Sequence, residues 1–376
     1  MSRRAGVVWT LLVALALTGG VFAMRGERRA PIAAHLTVAE ALSAGDLTGF
    51  ARAEAPRAFT FPRDHGPHPA FRTEWWYWTG NLAAPDGRRF GFQLTFFRTA
   101  LTPEAPARGS AWGAHQVYLA HFAVTDVAGR RFGAWSRTER LALGLAGAQL
   151  EPFRVWVDDW EARGEGATGL PVRLRASEGD AAIDVTLEGG KPVVLQGERG
   201  LSRKGAEPGN ASYYYSLTRM PARGSITVGG RRFEVTGLAW MDREWSTSAL
   251  GAELAGWDWV ALQLDDGREI MFYRLRRKAG GADRFSAGAI VDAAGSARAL
   301  SLDDVTLEPV DVWTSPRSGA RYPARWRLRM AGLDLQIAPV LADQELDVGT
   351  RYWEGAVVVA GTVAGRGYVE MVGYGP

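Results

Sequence analysis

Residues 72–81 read Arg72-Thr73-Glu74-Trp75-Trp76-Tyr77-Trp78-Thr79-Gly80-Asn81, four aromatic side chains in a row inside a strand-like run. Side chains alternate between faces along a strand, so Trp76 and Trp78 share one side and Trp75 and Tyr77 the other. Both faces therefore carry bulky rings. One face fills or lines a barrel interior, and the other packs on something else, such as a second domain. Four consecutive rings exceed what a half-buried strand requires, and an aromatic-walled cavity for a long apolar ligand accounts for them better.

Outward from this strand, Asp86-Gly87 is hairpin turn chemistry, followed by alternating Phe90, Phe92, Leu94 and Phe96. Much later, Trp257-Asp258-Trp259 precedes Asp266-Gly267 and then Ile270 and Phe272. The last Trp of each copy stands 8 and 7 residues before its turn Asp, respectively. Two copies of one hairpin predict two domains of the same class, joined near residues 237–256. Other β-branched and aromatic runs are separated by Gly189-Gly190, Gly229-Gly230 and Ala331-Gly332, and no helix of three turns is expected after residue 59. The chain is read as all-β and antiparallel, a sandwich or an up-and-down barrel in each half.

A length of 376 residues suits two domains, and 46 Gly with 15 Trp suit short strands, tight turns and large aromatic faces. There is no Cys, which removes disulfides, zinc–thiolate sites, Cys nucleophiles and lipoprotein anchoring together. The net charge is +3, and the basic residues form no stripe, so a nucleic-acid partner is not expected. Arg3-Arg4, the apolar run Val7–Leu17 and the ending Val21-Phe22-Ala23 read as a signal peptide over residues 1–23, predicting a periplasmic or secreted protein. Uncleaved, residues 7–24 are just long enough to anchor it, and this is the only membrane contact expected. Residues 24–58 read as a spacer in which 36–42 could form a short helix, with domains at 59–240 and 241–376.

Chemistry centres on Trp240-Met241-Asp242-Arg243-Glu244-Trp245. In extended chain Asp242 and Glu244 project to the side of Trp240, about 7 Å apart. A carboxyl beside indole rings is desolvated and becomes a useful acid near neutral pH. Arg243 could instead pair with one of them and keep it ionised. His65 and His68, with Asp64, could be metal ligands, but the intervening Gly66 and Pro67 favour a loop over a barrel mouth, and no metal is expected. His121 faces a cavity or is hydrogen-bonded in a core. Serine-hydrolase elbows, Walker loops and dinucleotide fingerprints are missing from the sequence, and no cofactor is expected.

Phe61-Pro62-Arg63-Asp64-His65-Gly66 with Thr73-Glu74-Trp75-Trp76-Tyr77-Trp78-Thr79-Gly80-Asn81-Leu82 resembles the opening signature of the carotenoid 1,2-hydratase/AttH-like family. Trp240–Ser246, Gly256–Trp259 and Tyr352-Trp353-Glu354-Gly355-Ala356 resemble its later blocks. The resemblance spans roughly residues 59–376 and implies two lipocalin-like antiparallel β-barrels in tandem. Its exported members are often labelled secreted hydrolases. It also implies a hydro-lyase reaction: a carboxylic acid protonates the terminal double bond of an acyclic carotenoid, aromatic faces hold the tertiary cation, and oriented water completes the alcohol. By position Asp242 is the acid, with Glu244 and Glu74 the next candidates, and Trp245 and Tyr273 are wall residues. The family's hydratases favour His where Arg243 stands, and an acidic residue in the strand that here reads Phe272-Tyr273-Arg274-Leu275. The expected ligand-binding set is Glu74, Trp76, Trp78, His121, Trp240, Trp245, Trp257, Trp259 and Tyr273. The expected partner is a hydrophobic small molecule. The alternative is a non-catalytic periplasmic lipid carrier serving a cell-envelope transporter.

Overall fold

Period-two alternation runs through the chain; Ala181–Leu187, for example, alternates buried and half-buried positions without a break, as a strand with one face on a core must. The computed structural model describes residues 47–104, 110, 113–247 and 250–375. The only helical element among them is a short 3-10 turn, Arg63–His65.

The first sheet begins with β1 (Thr73–Ala83), β2 (Arg89–Ala100), β3 (Gln116–Asp126), β4 (Arg131–Arg140), β5 (Ala146–Gln149) and β6 (Arg154–Val157). It continues with β7 (Trp160–Gly164), β8 (Val172–Glu178), β9 (Ala181–Leu187), β10 (Val194–Leu195), β11 (Leu201–Arg203), β12 (Ala211–Val228) and β13 (Arg231–Ser246). In space the order is β4-β3-β2-β1-β13-β12-β9-β8-β7-β6-β5, with β10 and β11 beside β12, and the sheet closes almost into a barrel. The second sheet holds β14 (Leu254–Leu264), β15 (Glu269–Arg277), β16 (Ala287–Val291), β17 (Ala297–Ser301) and β18 (Thr306–Thr314). It is completed by β19 (Arg321–Met330), β20 (Leu333–Pro339), β21 (Glu345–Asp347), β22 (Arg351–Gly361) and β23 (Gly365–Val372). Its order is β17-β16-β15-β14-β23-β22-β20-β19-β18, with β21 beside β22, and it curls into a half-barrel. All the strands are antiparallel to their neighbours, and both sheets belong to one structural unit.

The internal repeat is a repeat of topology. In each sheet the first strand pairs with its hairpin partner on one side and with the last strand on the other: β1 with β2 and β13, β14 with β15 and β23. The tryptophans, however, are out of step by one residue. Trp78 lies opposite Leu94, and its structural counterpart is Asp258, opposite Arg274; each stands 8 residues before its turn Asp. A one-residue offset moves side chains to the other face. Trp76 and Trp78 therefore enter the first core, with Phe90, Phe92, Phe96 and Trp160. Trp257 and Trp259 turn outward, toward the first barrel. Val260, Leu262, Ile270 and Phe272 fill the second core instead.

Two expected boundaries shift. β13 runs unbroken to Ser246 in the first sheet, so a division at 240/241 cuts a strand, and the second sheet begins with β14 at Leu254. The expected spacer is partly structural: Ala53 is fully buried, and the Tyr213 hydroxyl donates to the Ala55 carbonyl at 2.9 Å. Residues 1–46, including the expected signal and the 36–42 helix, lie outside the described residues. Among the described residues no helix is long and apolar enough to cross a membrane.

The barrels meet along a specific seam. Gln263 donates to the carbonyls of Thr218 and Ala239 at 2.8 and 3.0 Å, and Thr125 donates to Gln344 at 2.9 Å. The ladder of β12 slips between Leu217 and Met220, and the released Thr218 and Arg219 reach Glu269 of the second barrel. Lys191 joins the same carboxylate at 2.8 Å. Gly91 marks the closest approach, since a Cβ there would meet the Tyr368 hydroxyl at 2.5 Å and the Ala356 methyl at 2.9 Å.

Candidate active site between the barrels

Both barrel interiors are filled, and the aromatic-lined cavity lies at the seam. It has a volume of about 140 Å³ and is walled by Trp75, Tyr77, Phe97, Trp257, Trp259 and Tyr273. Into it project four carboxyls, Asp242, Glu244, Glu354 and Glu370, and the ammonium of Lys204.

Asp242 sits in mid-sheet, with Tyr77 opposite on β1 and Ser216 opposite on β12. Its Oδ1 accepts from the Ser216 hydroxyl at 2.6 Å and the Trp240 indole at 2.7 Å. Its Oδ2 accepts from the Tyr214 hydroxyl at 2.5 Å, and that hydroxyl in turn accepts from the Trp259 indole at 3.2 Å. Burial pushes the carboxyl up to about 7 against the pull of these donors, and the charge of Glu244 adds to the rise. A carboxyl titrating near 7 is suited to general acid chemistry at neutral pH.

Arg243 does not neutralise it. Alternation sends Arg243 to the opposite face, where the guanidinium lies over Trp76 at 3.9 Å and hydrogen-bonds the Gly66 carbonyl at 2.7 Å and the Glu74 carboxylate. Glu74 is clamped there between Arg98 and Arg243. Burial alone would raise it, but the two guanidiniums hold it far below the usual carboxylate range. Arg274 likewise turns inward, onto Asp258 at 2.7 Å. The departure at Arg243 thus faces away from the cavity, whereas in the strand of the second departure Tyr273 and Leu275 line it and Phe272 and Arg274 turn inward.

The ligand-site expectations divide along the same parity. Asp242, Glu244, Trp257, Trp259 and Tyr273 line the cavity, and Trp240 braces Asp242. Trp76 and Trp78 are core residues, displaced by the one-residue offset. Glu74 and Trp245 also face away, Trp245 stacking on His68 at 3.7 Å. His121 stops one shell short: its Nδ1 meets the hydroxyl of the cavity residue Tyr352 at 2.7 Å, and burial pushes it down to about 3, so it is neutral. His65 bonds the Tyr215 hydroxyl at 2.6 Å and His68 bonds Asp64 at 3.1 Å. Among the described residues no group of three potential ligands could hold a metal.

Sequence reasoning gave no role to Glu354 and missed Glu370, Lys204 and Tyr214; it separated the Trp75/Tyr77 face and expected one face of that strand to pack on a second domain, but named neither residue for the ligand site. Glu354 and Glu370 lie opposite each other on β22 and β23. Each stands between non-polar neighbours, in Trp353-Glu354-Gly355 and Val369-Glu370-Met371. A lone carboxyl at such a position is the signal that was available. Burial pushes Glu370 up to about 7 despite a hydrogen bond from Trp257, and the charges of Asp242 and Glu244 add to the rise. Burial and the neighbouring Glu370 raise Glu354 well above the usual carboxylate range, against the pull of the Tyr77 and Tyr352 hydroxyls. Lys204 lies 3.5 Å from Glu244 and 3.8 Å from the Tyr273 ring centre.

The AttH-like family profile matches residues 52–374. The chain belongs to the AttH-like family. A crystal structure from Nitrosomonas europaea, provisionally designated AttH, superposes with a TM-score of 0.77 at 38% identity, covering 86% of this chain and 100% of that one. Kievitone hydratase from Nectria haematococca shares the fold, with a TM-score of 0.65 at 16% identity over 86% of this chain and 96% of its own. No protein of curated function matches the sequence.

Proposed function

We propose that this AttH-like protein is an exported hydratase-like enzyme that adds water across a carbon–carbon double bond of an apolar, polyprenoid- or lipid-like ligand. The observation that carries the reading is Asp242, a buried carboxyl near neutrality, aimed into an aromatic cavity and free of Arg243. In the reaction the Asp242 proton adds to one alkene carbon, leaving a carbocation on the other. The faces of Trp257 and Trp259 stabilise that cation through their quadrupoles. Glu244, the next carboxyl on the same face, orients the water. Its oxygen bonds to the cation, and the proton it loses returns to the Asp242 carboxylate. A volume of about 140 Å³ is close to that of an engineered cavity that binds benzene, so the site takes one end of a long ligand. The hydratase among the structural neighbours supports the reaction class. Export rests on the Arg3-Arg4 and Val21-Phe22-Ala23 signals.

Native mass spectrometry of the full-length chain identifies a co-purifying hydrophobe. Incubating that compound in oxygen-18 water should yield labelled product with the wild type and none with Asp242→Asn, which still binds it. Labelled product from the variant removes Asp242 as the acid. Binding with no oxygen gained in either protein favours the lipid carrier. N-terminal sequencing of envelope material should give a start near Met24, and an intact Met1 in a purely cytoplasmic pool would sink export.

A further inference from the structure

The cavity has two acidic ends, and at one of them the protein supplies its own cation. There Lys204 rests on the Tyr273 ring at 3.8 Å with Glu244 at 3.5 Å. The other end repeats the ingredients, a carboxyl pair and aromatic faces, without an internal cation. Glu354 and Glu370 are directly opposite each other on neighbouring strands, and Trp259 lies opposite Glu370 on the other side. Among the described residues neither glutamate has an ion-pair partner. The Tyr77 and Tyr352 hydroxyls interact with the Glu354 carboxyl, yet its Oε1, in a residue 2% exposed, has no hydrogen bond of normal geometry. All three residues line the cavity. A buried carboxyl oxygen without a normal hydrogen bond is costly and points to a donor from outside the chain.

We propose that the Glu354–Glu370 end is a recognition site for an organic ammonium group borne on an apolar body. An ammonium supplies three N–H donors to the two carboxyls and the Tyr77 oxygen, while Trp257 and Trp259 give it ring faces. The Lys204 end shows that this wall accepts such a group. The site shares the cavity with Asp242 but needs no turnover, so ammonium binding can fail while hydration stands, and the reverse. Binding a cation favours the ionised carboxyls, and so it releases protons and strengthens as the pH rises. The other titratable groups around the pair are Asp242, Glu244, Lys204, Tyr77, Tyr214, Tyr273 and Tyr352 on the cavity wall and Tyr368 beside Glu354.

Isothermal titration of the full-length chain with benzylammonium, benzyl alcohol and benzoate tests this, because the three share one ring and differ in charge. Benzylammonium should bind roughly tenfold tighter than the alcohol at pH 8, less so at pH 6, and benzoate should bind weakest. The double variant Glu354→Gln/Glu370→Gln should lose the ammonium preference and keep the alcohol affinity. Circular dichroism confirms that it folds. An alcohol that binds as tightly as the amine in the wild type overturns the proposal, as does a preference that survives in the folded double variant.

Discussion

Replacing Asp242 by Asn exchanges a carboxyl for an amide of the same shape, and the surroundings of that carboxyl set the stability response. The folded protein holds it at about 7 against an ordinary 3.8. A raised value means the fold prefers the protonated form. That stability is fully present below 3.8 and is lost as the pH rises through 7. The whole shift is worth about 4 kcal/mol, of which about 2.5 kcal/mol falls between pH 5 and pH 8. An amide does not titrate and escapes this loss. Against that gain, Ser216 and Trp240 can still donate to the amide oxygen, but the amide nitrogen then faces the Tyr214 hydroxyl, which donates in the wild type. Rearranging that bond costs about 1 kcal/mol at any pH. Asp242→Asn should therefore match the wild type near pH 5 and exceed it by about 2–3 kcal/mol at pH 8. Urea unfolding followed by tryptophan fluorescence measures both. A variant that is less stable than the wild type at pH 8, by a margin that does not change with pH, refutes the argument. It would mean that the carboxylate has a counter-charge and is not held near neutrality by burial.

Three further outcomes follow from the same geometry. Glu74→Gln leaves Arg98 and Arg243 buried without a counter-charge and should cost about 3–5 kcal/mol; a loss below about 1 kcal/mol in urea melts contradicts the clamp. Trp78→Ala, in the first core, should cost about 3–5 kcal/mol with little change in benzyl alcohol affinity, whereas Trp257→Ala at the cavity wall should show the opposite balance. His121 is depressed to about 3, so its stabilising effect is full above 6.5 and fades as the pH falls toward 3. The stability gap between wild type and His121→Leu should accordingly narrow from pH 7 to pH 4, and a gap that widens shows that His121 is charged in the fold.

The all-β class and the tandem repeat were legible because period-two alternation and Asp-Gly turns are local signals. What the sequence hid was parity. The difference between 8 and 7 residues in front of the two turns was visible, but without a ladder to fix the register it gave no hint that Trp257 and Trp259 face the opposite way from Trp76 and Trp78. The Asp242 environment was half legible. Alternation placed Asp242 and Glu244 beside Trp240, yet whether Arg243 would pair with Asp242 depended on Glu74, a residue far away in sequence that captures it across the β1–β13 ladder. Glu370 and Lys204 were harder still: their charged neighbours Glu354 and Glu244 lie in their own barrels, but the aromatic cavity they line forms only where the two sheets meet.

The position of the second barrel bears directly on the acid. The Trp259 indole belongs to the second sheet, yet it donates to the Tyr214 hydroxyl of the first, which donates onward to Asp242. Glu370, also from the second sheet, approaches from the same side and is itself raised by the charge of Asp242. With the first barrel alone, Asp242 would face water across the exposed side of β13, lose most of its desolvation, and return toward the ordinary carboxylate range, ionised at neutral pH and useless as a proton donor. The barrel lumens offer no substitute, because Trp76, Trp78 and Trp160 fill the first and Trp326 with its neighbours fills the second. A dry wall against β13 is therefore what the second copy of the fold contributes. The seam contacts at Gly91, Gln263 and Glu269 hold that wall in place, so the burial that raises Asp242 exists only where the two barrels are docked.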